Sequence, residues 1–191
     1  MKAISKSFIN DLFSKQILKE IHPQKTSDQL LNEGKEFDVF LSYPFSDKEY
    51  AIKLFSMLVN EGYKVYIDIG DEILDRKDVT KETATRLSRI MDKCRCLVYM
   101  YTKATKVSKW CQWELGYMSG KKNFRCATIL LDDSGGSFLH QEYLDIYPFL
   151  SYEKSKENKK YLFWANDIDS EAYVNLKEFI NGKNPSLHEE R

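Results

Sequence analysis

The sequence predicts a doubly wound α/β domain built on a mostly parallel sheet, with a helical extension ahead of it. Three observations carry this. Short β-rich apolar runs recur along the chain (FDVFLSY, YKVYI, CLVYMY, RCATILL), and segments with apolar residues at helical spacing separate them. The runs are apolar at consecutive positions, which marks strands covered on both faces by helices. With 191 residues the chain can bury one good core.

In chain order, Ile4, Phe8, Leu12, Phe13 and Ile17 predict one amphipathic helix over residues 3–21, stopped by Pro23. Its apolar face suits either a lid on the main domain or a partner surface, and the sequence does not choose between them. A polar linker or short helix containing Gly34 follows over residues 24–35. The expected division is therefore an N-terminal extension, 1–34, and an α/β domain, 35–191.

The first strand spans 37–43, then comes a PFSD turn. Tyr50, Leu54 and Leu58 trace a helix closed by Gly62. The second strand covers 63–67 and leads into an acidic loop, 68–78. Thr83, Leu87, Ile90, Met91 and Cys94 give the next helix, and 96–101 the third strand. SKWCQWELGYM, 108–118, is a helix ending near Gly120, followed by a fourth strand over 125–131 and a DDSGGS turn. Either PFLSY (148–152) or YLFWA (161–165) supplies the last strand, with residues 154–160 as a solvated loop. Tyr173, Leu176, Phe179 and Ile180 predict a closing helix that stops near Gly182.

Composition narrows the function. Lys+Arg and Asp+Glu both number 29, so no overall field draws in nucleic acid or an anionic membrane. No apolar run approaches the roughly 20 residues of a membrane span. Lys and Asp interrupt the N-terminal stretch MKAISKSFINDLFSKQ, which argues against a secretory signal. A soluble, cytoplasmic protein is expected. Cys94, Cys96, Cys111 and Cys126 lack zinc-ligand spacing and are expected as buried reduced thiols, with no metal. His22, His140 and His188 stand far apart and suggest no histidine-based triad.

The unusual residue is Glu114. Trp110, Trp113, Tyr117 and Met118 fall on one helical face, and Glu114 shares it, one turn past Trp110. A carboxylate inside an aromatic stripe must be paired, protonated or directed at a polar cleft. A structural ion pair explains it as readily as a site does. Topology favours the site: in the flavodoxin-like strand order ligands bind beyond the carboxyl ends of strands 1 and 3, where the order reverses. Those ends are residues 42–47 and 101–105, and the Glu114 helix follows the latter.

Taken together, FDVFLSYPFSD, YKVYID and KWCQWEL resemble the Toll/interleukin-1 receptor (TIR) domain pattern from residue 37 to about 132. In TIR domains that cleave NAD the glutamate of the WCxxEL element is catalytic, which the resemblance places at Glu114. Trp110 matches a tryptophan on the nicotinamide side. Ser42, Tyr43 and Phe45 match the first-loop segment that contacts the dinucleotide; Ser46 and Asp47 continue it, and Asp68 matches an acidic position after the second strand. Pro44 and Phe45 stand where many TIR enzymes carry arginine or glycine, and the loop after Asp68 lacks the family's frequent Pro-Gly pair. The chain is also similar to the TIR proteins of the Thoeris anti-phage system, which make a cyclic ADP-ribose signal for a separate effector. The resemblance implies NAD as substrate without a further cofactor, self-association into TIR assemblies, and an effector reached through the nucleotide product.

The chemistry is consistent with one carboxylate. Nicotinamide departs as a neutral base and needs no general acid, so Glu114 would orient ribose hydroxyls and stabilise the developing oxocarbenium charge. Ser42 and Ser46 serve equally as turn or cap hydroxyls, Asp47 as a helix cap, and Lys103, Lys106 and Lys109 as surface lysines or pyrophosphate contacts. A non-catalytic TIR interaction module is the alternative. A receiver domain is excluded, because SYPFSD and YTKATK replace the acidic residues it needs, and a nucleoside deoxyribosyltransferase on this fold survives weakly.

Overall fold

The computed structural model describes residues 4–15, 29, 33–69, 80–132 and 141–187. The strands are β1 (Phe37–Ser42), β2 (Val65–Tyr66), β3 (Cys94–Tyr101), β4 (Cys126–Leu130), β5 (Phe149–Lys154), β6 (Tyr161–Asn166) and β7 (Tyr173–Asn175). They form one sheet in the order β2-β1-β3-β4-β5-β6-β7. The first five are parallel, the flavodoxin-like order, and β6 and β7 add an antiparallel extension. The helices are α1 (Lys6–Ser14), α2 (Lys48–Asn60), α3 (Lys81–Asp92), α4 (Lys109–Lys121) and α5 (Leu176–Ile180).

Strand alternation sorts the core into two layers. Val39, Leu41 and Tyr43 of the first strand segment, with Cys96, Val98 and Met100 of β3, face α1, α2 and α5. Phe40, Leu97, Tyr99 and Tyr101 face the other way, toward α3 and α4. The sheet is thus covered on both sides, as its consecutive apolar runs require.

The N-terminal helix is part of the first layer. Ile9 and Leu12 are buried there, and Ser5 caps the helix by accepting from Phe8 N–H at 3.1 Å. Ile4 pairs with Leu131 just past β4: its N–H donates to Leu130 O at 2.8 Å, and its carbonyl accepts from Asp132 N–H at 3.3 Å. Of the helix expected over 3–21, the part from residue 16 onward, with Pro23, lies outside the described residues.

Several boundaries differ from expectation for identifiable reasons. β2 is only two residues; just ahead of it Lys64 N–H donates to the Asp38 carboxylate at 2.9 Å while the Lys64 carbonyl accepts from Asp38 N–H at 2.8 Å. Helix α4 does end near Gly120, at Lys121, and the chain then turns at Asn123 and Phe124, both with positive φ. PFLSY and YLFWA are both strands, paired antiparallel as β5 and β6, and 154–160 is their connection. The closing helix does not begin at Tyr173. Tyr173–Asn175 is β7, and Asn175 starts α5 by accepting from Lys177 N–H at 2.9 Å. Gly62 and Gly182 take positive φ at helix ends, as their positions suggested.

At the amino-terminal end of the sheet, Glu61 accepts from Phe163 N–H at 3.4 Å, and its other carboxylate oxygen is buried without a partner among the described residues. Burial pushes this acid up to about 8.

Candidate active site

Parallel strands β1 and β3 pair in register from Phe37 with Cys94 to Ser42 with Tyr99, so β3 runs on to Tyr101, past the end of β1, on the same side of the sheet. Beyond them the chain departs in different directions: β1 turns to α2 and β3 to α4. The crevice between these departures is the switch point of the fold.

Helix α4 is placed over that crevice by its own start. Ser108 takes an extended conformation and its hydroxyl accepts from Cys111 N–H at 3.4 Å, fixing the first turn. Trp110, Cys111, Glu114, Leu115 and Met118 then face the sheet and are buried. Trp113 and Tyr117 are displaced to the flank and half-buried, so the aromatic stripe splits. Trp113 meets the Trp110 ring edge-on at 5.4 Å and contacts Tyr117 at 5.7 Å, while Tyr117 donates to Asp92 at 2.9 Å.

Glu114 is 1% exposed, and Ser42, the last residue of β1, donates its hydroxyl to Glu114 Oε2 at 2.6 Å. A bond of this kind, with a carboxylate acceptor, is stronger than one between neutral groups. It fixes the rotamer of the one acid on this face of α4 and aims it at the strand ends. Two further buried polar groups lie in the same layer as the Glu114 helix face. Trp110 is 8% exposed, and its Nε1 is buried with no hydrogen-bond partner among the described residues. Tyr99, opposite Ser42 in the ladder, is fully buried with Tyr143 beside it, yet among the described residues no partner sits at bonding geometry to its hydroxyl. Burial first, then Tyr143, Cys111 and Glu114, raise the Tyr99 hydroxyl well above the usual tyrosine range, so it stays a donor. Buried donors without acceptors are rare in folded proteins and collect where a ligand completes the bonding.

The other expected site residues are spread around this centre. Tyr43 is buried in the opposite layer, against Val39 and Leu41, on the face away from Glu114. Phe45 is 67% exposed and Ser46 is exposed, both on the single 3-10 turn (Phe45–Asp47) that leaves β1. Asp47 makes no cap bond to α2; its Oδ2 accepts from the Thr102 hydroxyl at 2.6 Å. Asp68 is half-buried two residues beyond Tyr66, whose partner is Phe40, and so stands level with Ser42. Lys103 and Lys109 are exposed and Lys106 half-buried.

Tyr99, Thr102 and Tyr143 were not singled out in the sequence. Tyr99 and Thr102 lie inside or directly after an apolar strand, and the rule that ligands gather at strand carboxyl ends could have marked them. Tyr143 sits in a turn (Glu142–Leu144) with no periodic signal.

All four cysteines are buried and none is disulfide-bonded; burial raises the thiols of Cys94, Cys96 and Cys126. His22, His140 and His188 lie outside the described residues. Among the described residues no group of three or more His, Cys, Asp and Glu is arranged to hold a metal, and no helix is long and apolar enough to cross a membrane.

Comparison with known proteins agrees with this geometry. The TIR domain family matches residues 39–162. A protein of Bacillus cereus (strain MSX-D12), named probable 3′ cyclic ADP-D-ribose synthase ThsB′, is 31% identical over 183 residues, covering 94% of this chain and 91% of that protein. The 2-1-3-4-5 parallel order, the strand ends at the switch point and the glutamate of KWCQWEL held there lead to one assignment: the chain belongs to the TIR domain family.

Proposed function

We propose that this protein cleaves NAD at the bond between nicotinamide and ribose and closes the ADP-ribosyl group into a cyclic ADP-ribose signal, in anti-phage defence of the Thoeris type. The observation that carries the reading is Glu114, buried on α4 at the switch point, with its orientation fixed by Ser42 at 2.6 Å. The relative's name specifies a 3′ cyclic ADP-D-ribose, and the same isomer is proposed here.

As the glycosidic bond breaks, its electron pair goes to the pyridinium nitrogen and nicotinamide leaves neutral. The positive charge passes to the anomeric carbon, where the Glu114 carboxylate stabilises it and holds the ribose hydroxyls. The Trp110 ring covers the nicotinamide side, and its free Nε1–H offers a donor to the substrate. Attack by water would release linear ADP-ribose and a proton. Attack by a hydroxyl of the same molecule releases the same proton and closes the ring. Ser42, Phe45, Ser46, Asp47 and Asp68 border the crevice through which the dinucleotide would enter, while Tyr43 supports the strand from behind.

Self-association, a separate effector that reads the product, and a cytoplasmic location complete the proposal. A purely adaptor role accounts less well for a buried carboxylate held at the switch point by Ser42.

The test is mass spectrometry of nucleotides in cells expressing wild type or Glu114→Gln, with and without phage challenge. NAD loss and a cyclic product in challenged wild-type cells alone are expected. Identical nucleotide profiles in all four samples would overturn the enzyme assignment.

A further inference from the structure

Asp47 stands at the N-cap position of α2, the place where an aspartate ordinarily accepts from its own helix and contributes about 1 kcal/mol. It does not do so here. Its backbone (φ −104°, ψ 22°) is outside the usual capping conformation, and the side chain makes no cap bond. One oxygen instead accepts from the Thr102 hydroxyl at 2.6 Å, across the crevice on the segment that leaves β3. The other lies 4.0 Å from Lys6 Nζ, in the first turn of α1.

Each end of this chain is fixed by other bonds. Thr102 is 3% exposed; its N–H donates to Thr105 Oγ1 at 3.0 Å, and the Thr105 hydroxyl donates to Met100 O at 2.8 Å. Thr105 therefore uses its own proton on β3, and the Thr102 proton is directed to Asp47. On the other side, Lys6 lies over the Tyr50 ring at 4.6 Å, and Lys53 of α2 donates to Asn10 of α1 at 2.8 Å. The two crevice walls each carry an exposed apolar side chain, Phe45 (67%) and Val107 (82%).

We propose that Asp47 is a positioning residue: with Thr102 and Lys6 it latches the loop after β1 to the loop after β3, so that the N-terminal helix sets the width of the crevice over Glu114. A forgone cap is the cost of a bond that spans the site. The latch rests on the catalytic reading given above, and its effect on chemistry follows from water access. A closed rim excludes water from the oxocarbenium-like centre and favours ring closure. An open rim admits water and yields linear ADP-ribose.

The experiment compares Thr102→Val, Thr102→Ser, Lys6→Ala and Lys6→Arg with wild type in two measurements. The first is hydrogen exchange of peptides covering residues 44–47 and 102–107. Thr102→Val and Lys6→Ala should exchange these segments about tenfold faster, with Thr102→Ser and Lys6→Arg close to wild type. The second is the ratio of linear to cyclic product at matched conversion, with KM and kcat. Thr102→Val should raise that ratio and KM by roughly tenfold while changing kcat less. Unchanged exchange in both loops overturns the latch whether or not the protein turns over NAD. Faster exchange with an unchanged product ratio in an active enzyme overturns its role in the reaction. Absence of turnover in wild type counts against the enzyme assignment alone, and exchange then decides the latch.

Discussion

Ser42 and Glu114, 72 residues apart in the chain, share a 2.6 Å hydrogen bond in which both partners are 1% exposed. The strand that opens the domain thus holds the acid on a helix two crossovers later.

Removing this hydroxyl should be felt in catalysis more than in folding. Ser42→Ala removes this one hydroxyl donor to Glu114, and a bond to a charged group is worth about 1.5–3 kcal/mol. An order-of-magnitude to hundredfold fall in kcat is expected, with Ser42→Thr recovering part of it. Steady-state NAD turnover, read beside circular dichroism of the folded protein, checks this.

Trp110 offers a separable contribution. Trp110→Phe keeps an aromatic ring but removes the Nε1–H together with part of the indole surface, so it should raise KM for NAD about fivefold to tenfold. Trp110→Ala also opens the site to water and should lower kcat further. Kinetics of the two variants distinguish donor from cover.

Glu61 makes stability depend on pH in a defined direction. Its folded value, about 8, lies above the ordinary 4.5, so the folded state holds a proton that the unfolded state has released between these values. Stability contributed through Glu61 therefore falls as pH rises from about 4.5 to about 8. Glu61→Gln, which still offers an oxygen to Phe163 N–H, should gain on the order of 1–3 kcal/mol relative to wild type at pH 8 and little at pH 4. Urea denaturation at the two pH values measures the difference.

The N-terminal helix should unfold with the sheet. Ile9 is fully buried in the layer that also holds Val39 and Ala127, so Ile9→Ala should cost about 2–4 kcal/mol. A single shifted transition by both fluorescence and circular dichroism is expected. A separate early transition, with the main one unmoved, would show that α1 docks independently.

Much of this architecture was legible because burial writes itself into the sequence. CLVYMY has no polar position, and a strand like that must be covered on both faces; it became β3, the centre of the parallel sheet. Glu114 was legible for the opposite reason, as the one charge on an otherwise buried face. The rest depended on contacts that have no period. Nothing local to Thr102 announces that its hydroxyl meets Asp47, and Tyr173 fits a helical pattern yet lies in β7, because Asn175 starts the helix after it. Tyr43 was read with its neighbour Ser42, but adjacent residues of a strand point to opposite faces, and only one of the two can reach Glu114. The extent of α1 was overestimated at both ends: Ile4 extends the sheet instead of joining the helix, and the helix ends at Ser14 with Lys15 as its C-cap.

That bridge has a practical meaning for anyone handling the protein. Ile4 is tied by two backbone bonds to the carboxyl end of β4, the end at which β1 and β3 also finish. Whatever is fused ahead of it starts from the end of the sheet that carries the proposed site, where a bulky purification tag stands to obstruct it. Ser186, paired with Tyr173 on the far edge strand, lies away from that rim. A tag carried after Ser186 keeps the working end of the molecule clear, and an enzyme silenced by an amino-terminal tag would be a fault of its handling.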